Sequence, residues 1–439
     1  MFRRLIVMAA LAAGSAWADP PPAPPQPHPV SSTAEQIYDA ARPRLLQVRT
    51  IIVDSDKQSS LGSAFVVDGD GRAITNYHVV SQYALEPETY RLEYALPDGQ
   101  HGGLTLLAVD VADDLAVVRL DAKPESSFAF DPRALDGTLA KGEAIYAMGN
   151  PLDLGFSIVE GTYNGPVERY YQERLHFSGA LNPGMSGGPA VSSDSKVIGI
   201  NVSKQVGSEL VSFLVPARFA AALLTRAASA PVLTSAALRA EIGRQLLDYQ
   251  AGLEKAFDAA GFRADAFGPY RAPESAAPWL TCWGHTNADQ SPPPRASASS
   301  TSCASNSGLF IASDLLTGGI GISHVYMKTI DLNEFQFASF VQQASNVAGG
   351  YYQPKWHTHQ DCRETFVQPE PAAEHPPLRV TWCAKGYRKF DGLYDIAVAA
   401  VTQDRPTEAL VSRLNVQGVS WDNALALTHR FLDGIRWSP

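Results

Sequence analysis

Between residues 45 and 215 the apolar residues come in short runs, and that punctuation constrains the fold more than any other feature of the chain. The runs are 45–53, 61–67, 90–96, 104–109 and 115–120, then 144–148, 157–168, 174–178, 197–203 and 210–215. Turn sequences such as Asp68-Gly69-Asp70-Gly71 and Pro97-Asp98-Gly99 separate them. Many short strands at this spacing predict an antiparallel all-β sandwich or barrel. The two series are of similar size and divide near residues 121–138, which predicts two small barrels.

One segment within this frame fits neither helix nor strand. In Leu181-Asn182-Pro183-Gly184-Met185-Ser186-Gly187-Gly188-Pro189 a single serine stands among glycines and prolines. Gly admits backbone angles other residues avoid and Pro fixes its own, so the segment reads as a rigid turn presenting one hydroxyl. A Gly-rich surface turn is the bland alternative, and residues upstream decide between the two. Thr75-Asn76-Tyr77-His78-Val79-Val80 sets a histidine just after a strand. Ala112-Asp113-Asp114-Leu115-Ala116-Val117-Val118 sets two carboxylates at the head of an apolar strand. With Ser186 the chain order is His, Asp, Ser, which is the order of one fold of serine hydrolases and not of the others.

Over residues 62–216 the chain resembles the trypsin-like serine proteases, and within them the bacterial HtrA/Deg branch. Gly62-Ser63-Ala64-Phe65 is similar to that family's G-S-G-F strand, and residues 75–80 to its T-N-x-H-V motif. Asp114-Leu115-Ala116-Val117 is similar to D-L-A-x, which selects Asp114 over Asp113 as the acidic member. Ala147-Met148-Gly149-Asn150-Pro151, Ser186-Gly187-Gly188-Pro189 and Val197-Ile198-Gly199-Ile200-Asn201 match further family segments. Two departures stand out: Ala64 replaces a glycine, and Met185 replaces the Asn or Asp common before the serine, where it is expected to alter local substrate contacts.

The resemblance implies a mainly β fold of two six-stranded antiparallel barrels, with His78, Asp114 and Ser186 as catalytic residues. Ser186 is a poor nucleophile until His78 takes its proton, while Asp114 holds the imidazole tautomer and stabilises its charged form. Backbone N–H groups of Gly184 and Ser186 are the expected oxyanion hole. The primary substrate pocket is implied near Ala180 and Leu181 and near Asn201, Val202 and Ser203. With no acidic residue at either place, a small apolar side chain is favoured over Arg or Lys. No metal or other cofactor is implied, because the remaining histidines lack ligand spacing.

The N-terminus has the parts of a secretory signal peptide over residues 1–18: basic Arg3 and Arg4, an apolar run at 5–13, and an Ala16-Trp17-Ala18 cleavage site. A periplasmic or secreted location is therefore expected. A Pro-rich spacer follows at 19–30. The formal charge is -10 with no Lys/Arg block, which argues against a nucleic-acid partner. No later run is long and apolar enough to predict a membrane span.

Beyond the barrels, residues 217–227 read as a closing helix and 235–260 as a long amphipathic one, with Leu238, Ile242, Leu246, Leu253 and Phe257 along one stripe. No PDZ domain is recognised after it. All four cysteines lie there: Cys282, Cys303, Cys362 and Cys383. Export and an even count favour disulfides. Four cysteines allow three connectivities; the low entropic cost of short loops favours Cys282–Cys303 and Cys362–Cys383. After each second cysteine, strands and then a helix are expected, the helices at 332–344 and 421–432, which suggests duplicated modules. The Pro- and Ser-rich residues 290–302 are expected as a loop.

The chain thus divides into a protease domain at 31–230, a linking helix at 231–262 and a separate, disulfide-bonded α+β region at 263–439. The leading function is an extracytoplasmic serine endopeptidase acting on protein or peptide substrates through an acyl-enzyme. Residues 31–230 are expected to fold alone and to keep cleavage of a small unstructured peptide, with the C-terminal region serving as a binding or positioning module for substrate or for an envelope protein partner; the competing expectation is that this region completes the active site, with helix 235–260 packed across the barrels. A catalytically silent, protease-like binding or chaperone scaffold is the second reading. An α/β-hydrolase esterase is the third, because Gly184-x-Ser186-x-Gly188 also fits a nucleophile elbow.

Overall fold

The computed structural model describes residues 32–204, 210–229, 233–306, 308–347 and 353–438. The expected signal peptide and Pro-rich spacer lie outside the described residues. Helix α1 (Ser32–Ala41) leads into the first barrel. This comprises β1 (Leu45–Ile52), β2 (Lys57–Val66), β3 (Arg72–Thr75), β4 (Tyr90–Ala95), β5 (His101–Asp110) and β6 (Leu115–Leu120), with helix α2 (Tyr77–Leu85) inserted after β3. The strands close in the order β1-β2-β3-β6-β5-β4.

After the short helix α3 (Pro132–Asp136) the second barrel follows: β7 (Ala144–Gly149), β8 (Ser157–Pro166), β9 (Leu175–Phe177), β10 (Pro189–Val191), β11 (Val197–Lys204) and β12 (Ser212–Pro216). It closes as β10-β11-β12-β9-β8-β7. Both predicted barrels are therefore present, each six-stranded and antiparallel, divided where the sequence divides. No pair of neighbouring barrel strands runs parallel, which removes the α/β-hydrolase reading.

The first barrel's strands are apolar on both faces because both faces are buried. Successive side chains of a strand point to opposite sides. Leu45, Phe65, Ile74, Leu115 and Val117 join the core of the second barrel and of helix α4 (Ala217–Ser229). Their neighbours Leu46, Ala64, Ala73, Ala116 and Val118 join a core continuous with the C-terminal region.

That region begins with helix α5 (Ser235–Ala260), whose predicted stripe is buried and packs on α2 and β5. Then come β13 (Phe262–Phe267), β14 (Tyr270–Ser275), β15 (Leu280–Thr286), β16 (Ala296–Ser305), β17 (Leu309–Ala312), β18 (Leu315–Thr317) and β19 (Ile320–Thr329). Helix α6 (Glu334–Ser345) precedes β20 (Asp361–Val367), β21 (Leu378–Gly386), β22 (Tyr394–Thr402) and β23 (Glu408–Val419), and α7 (Trp421–Asp433) and β24 (Arg436–Trp437) end the chain. The main sheet has seven strands in the order β15-β16-β19-β23-β22-β21-β20. Phe337 and Val341 of α6 pack with Val401, Ala409 and Val411, whereas Leu427 and Phe431 of α7 join Val398, Leu410 and Leu414 in the larger core.

The cysteines pair as Cys282–Cys303 and Cys362–Cys383, each at directly opposed positions of neighbouring strands. Residues 290–302 are not all loop: the strand β16 starts at Ala296. Its serines pair through the backbone with β15 on one side and β19 on the other. Only Ala296 and Cys303 of this strand are buried, so few apolar residues mark it in the sequence.

Candidate active site

His78 is fixed by where α2 begins. Asn76 is the N-cap, but its amide donates to the Asp114 carbonyl at 2.8 Å instead of capping the helix. The Asp114 carboxylate takes over that duty: Oδ1 accepts the His78 backbone N–H at 2.8 Å, one of the N–H groups a helix start leaves without an internal partner. Its Oδ2 stands 2.6 Å from His78 Nδ1. One carboxylate therefore positions both the backbone and the ring of His78. Asp114 reaches across because its backbone is left-handed, with φ 58°, a conformation Asp tolerates better than most residues. Burial alone would lower the His78 pKa, but the charge of Asp114 and its hydrogen bond outweigh it, so the net shift is upward.

The choice of Asp114 over Asp113 has a structural counterpart. Asp113 faces away from His78, toward Arg174 at 3.7 Å, and its N–H donates to Asp110. Burial, with the neighbouring Asp110 charge, pushes its carboxyl up to about 6 against the pull of Arg174, Arg226 and Arg218.

Ser186 sits in the turn between β9 and β10, which the two barrels clamp together. Ser63 of β2 donates its N–H to the Ser186 carbonyl at 2.7 Å and its hydroxyl to the Gly184 carbonyl at 2.7 Å. Pro183 O is taken by the Leu152 N–H at 2.8 Å. With these three carbonyls engaged, the N–H groups of Gly184 and Ser186 have no protein acceptor among the described residues. Gly184 has φ 95°, and a Cβ there would lie 2.3 Å from Asn150 O. At Gly187, φ is 85° and a Cβ would lie 2.2 Å from Ser63 O. The turn thus requires glycine at both places.

His78 and Ser186 line one cavity of about 350 Å³, together with Leu61, Leu181, Asn182, Pro183, Gly184, Asn201 and Val202. The Ser186 hydroxyl donates to Val202 O at 3.1 Å, and among the described residues it has no hydrogen bond to His78. Of the expected pocket residues, Leu181, Asn201 and Val202 line this cavity. Ala180 is exposed outside it, and the Ser203 side chain lies outside the described residues. Asn201 braces the serine turn, its amide donating to Met148 O at 2.9 Å and Met185 O at 3.3 Å. Met185, expected at the substrate, is 1% exposed and packs in the second barrel's core. An apolar side chain is compatible with that burial, whereas an unpaired charge would not be.

Sequence reasoning missed Leu61, the bridging role of Ser63, and Phe310, whose ring lies 5.8 Å from the His78 ring. The G-S-x-F resemblance signalled Ser63. Nothing local signalled Phe310.

Residues 62–200 match the family described as trypsin-like peptidase domain. A "Probable periplasmic serine endoprotease DegP-like" of Brucella suis is 33% identical over 166 residues, covering 35% of this chain and 30% of the relative. "Protease Do-like 1, chloroplastic" of Arabidopsis thaliana is 31% identical over 166 residues, covering 35% of this chain and 36% of the relative. The chain thus spans about a third of the length of these relatives. Among solved structures, the serine endoprotease from Yersinia pestis aligns with a TM-score of 0.39 and 24% identity, over 45% of this chain and 67% of the other.

Proposed function

We propose that this protein is an extracytoplasmic serine endopeptidase. The observation that carries the reading is the meeting at one cleft of His78, paired with Asp114, the Ser186 hydroxyl, and the Gly184 and Ser186 N–H groups, which have no acceptor among the described residues. Asp114 accepts a hydrogen bond from Nδ1–H, which keeps the proton on Nδ1 and leaves Nε2 as the basic nitrogen. The serine hydroxyl rotates from Val202 O to Nε2 and attacks the substrate carbonyl. The tetrahedral oxygen then accepts from Gly184 N–H and Ser186 N–H, a contribution of about 3 kcal/mol per donor in comparable sites. Nε2 returns its proton to the leaving amine as the C–N bond breaks, and water repeats the cycle on the acyl-enzyme.

Leu61, Leu181 and Val202 give the cleft an apolar lining, and among the described residues no acidic side chain lines it, which supports an apolar residue at the cleavage site. The relatives' names, with the predicted signal peptide, support a periplasmic or secreted location. Among the described residues no helix is long and apolar enough to cross a membrane.

The test is labelling by a fluorophosphonate probe, with casein turnover measured in parallel. Wild-type protein labels at Ser186 and cleaves casein; Ser186→Ala and His78→Ala do neither. Absence of wild-type labelling, or casein turnover that survives in Ser186→Ala, overturns the proposal. The first of these results is what a silent binding scaffold would give.

A further inference from the structure

The hairpin β17–β18 comes from the C-terminal region yet lies against α2, the helix whose first turn carries His78. Its inner residues Leu309, Ile311, Ala312 and Leu315 are buried. Tyr77 donates its hydroxyl to Ile311 O at 3.1 Å, and Thr317 Oγ1 is 2.5 Å from the Tyr387 hydroxyl. Gln353 donates to the Asp314 carbonyl at the hairpin's turn. The hairpin is thus held at its strands and at its turn.

Side-chain alternation sends Phe310 the other way. Phe310 pairs directly with Leu316, so the two share the outer face of the hairpin. Leu316 is 63% exposed and Phe310 only half-buried, an unusual position for two large apolar side chains that are neighbours. The Phe310 ring meets the His78 imidazole edge-on, at 5.8 Å and 69°. The same imidazole lines the cavity that holds Ser186, with Leu61 in its wall. Phe310 therefore borders the imidazole that lines the cleft, and Leu316 stands next to it on the hairpin's outer face.

Resting on the peptidase reading, we propose that Phe310, backed by Leu316, is a specificity-determining residue: it forms an apolar subsite for a substrate side chain adjoining the scissile bond. The occupant is a large aliphatic or aromatic side chain of an extended peptide, because the wall offers area and no hydrogen-bonding group. The C-terminal region is then part of the substrate site. An apolar subsite of this kind discriminates by about 10- to 200-fold.

The experiment uses full-length protein and peptides in which each residue flanking the cleaved bond is varied between Gly, Leu, Phe and Asp. In wild type, one flanking position favours Leu or Phe over Gly by at least about tenfold in kcat/KM. In Phe310→Ala that ratio collapses toward one, and Phe310→Leu restores most of it for the Leu peptide. A uniform loss across all peptides with a moved pH profile assigns Phe310 to holding His78 and overturns the proposal. A uniform gain, which an inhibitory cover would give, or an unchanged ratio, overturns it too. Failure of wild type to label with fluorophosphonate removes the peptidase reading and this inference with it. Labelling with unchanged selectivity in Phe310→Ala removes this inference alone.

Discussion

Tyr77 donates its phenolic hydroxyl to the backbone carbonyl of Ile311, joining the residue before His78 to the C-terminal hairpin. Tyr77 is fully buried, and burial with the nearby Asp114 charge raises its pKa, so it stays a donor. At the other end of α2, Glu86 is held by Lys389 at 2.9 Å and Lys355 at 3.0 Å. The helix that carries the proposed base is therefore gripped at both ends by the C-terminal region and packed against α5.

A fragment of residues 32–229 should accordingly be deficient. Removing the rest exposes Tyr77 and other α2 residues in the core shared with Ile242 and Leu246, where each large side chain contributes about 1.5–3 kcal/mol by burial. The fragment is expected to aggregate or to bind a hydrophobic dye strongly, and to lose peptide cleavage along with protein cleavage. A soluble fragment with a cooperative melt and full turnover of a small peptide would show that the barrels stand alone.

Asp114→Asn should reduce kcat by about 10⁴ if the triad operates as proposed, because the amide no longer fixes the imidazole tautomer. The pH profile carries a second sign. Only neutral imidazole accepts the serine proton, and Asp114 raises the His78 pKa on balance. The acid limb of wild-type kcat/KM should thus lie above the ordinary histidine midpoint of about 6.5. In Asp114→Asn the residual activity should have its limb at lower pH. A limb that stays in place would mean that His78 does not titrate against Asp114.

The barrels were legible because their strands are marked by apolar runs and by turns that nothing else satisfies. The strand β10 was not: it has three residues and follows Gly187-Gly188, so it reads as part of a turn. His78, Asp114 and Ser186 could be named because each sits in a local pattern set by backbone needs, such as the left-handed residue at the head of β6. Phe310 had no such mark. Its place beside His78 is a product of long-range packing, and an apolar residue in a short strand looks the same whether it serves a core or a cleft. The serines of β16 concealed a strand for the converse reason, since backbone pairing needs no apolar side chain.

Both disulfides sit at the edges of the seven-stranded sheet, where burial is least. The outer strands β15 and β20 are exposed along most of their length. Each bridge spans 21 residues, so its removal should lower stability by about 3 kcal/mol through the freed unfolded chain. The Cys282→Ala/Cys303→Ala pair and the Cys362→Ala/Cys383→Ala pair should each lower the melting temperature, with early loss of hydrogen-exchange protection in the affected edge strand. Non-reducing peptide mapping of wild type should recover 282–303 and 362–383. A crossed link between the two pairs would contradict the fold.

Asp113 offers the reverse experiment to Asp114. Its carboxyl is held at about 6 in the folded protein, against an ordinary value near 3.8, because burial and Asp110 together outweigh Arg174, Arg226 and Arg218. A carboxyl whose folded pKa is raised favours the folded state fully only below its unfolded pKa. That advantage is lost as pH rises through the folded value. Between about pH 4 and 6 the folded protein therefore loses stability on this account, and above pH 6 it bears the whole penalty, about 1–3 kcal/mol for a shift of this size. Asp113→Asn removes the charge, so it should raise the melting temperature at pH 8 and change it little at pH 4. Turnover should stay close to wild type, because Asp113 turns away from His78. Equal stabilisation at both pH values would show that Asp113 does not titrate between them. A loss of activity like that of Asp114→Asn would show that the acidic partner of His78 had been assigned to the wrong residue.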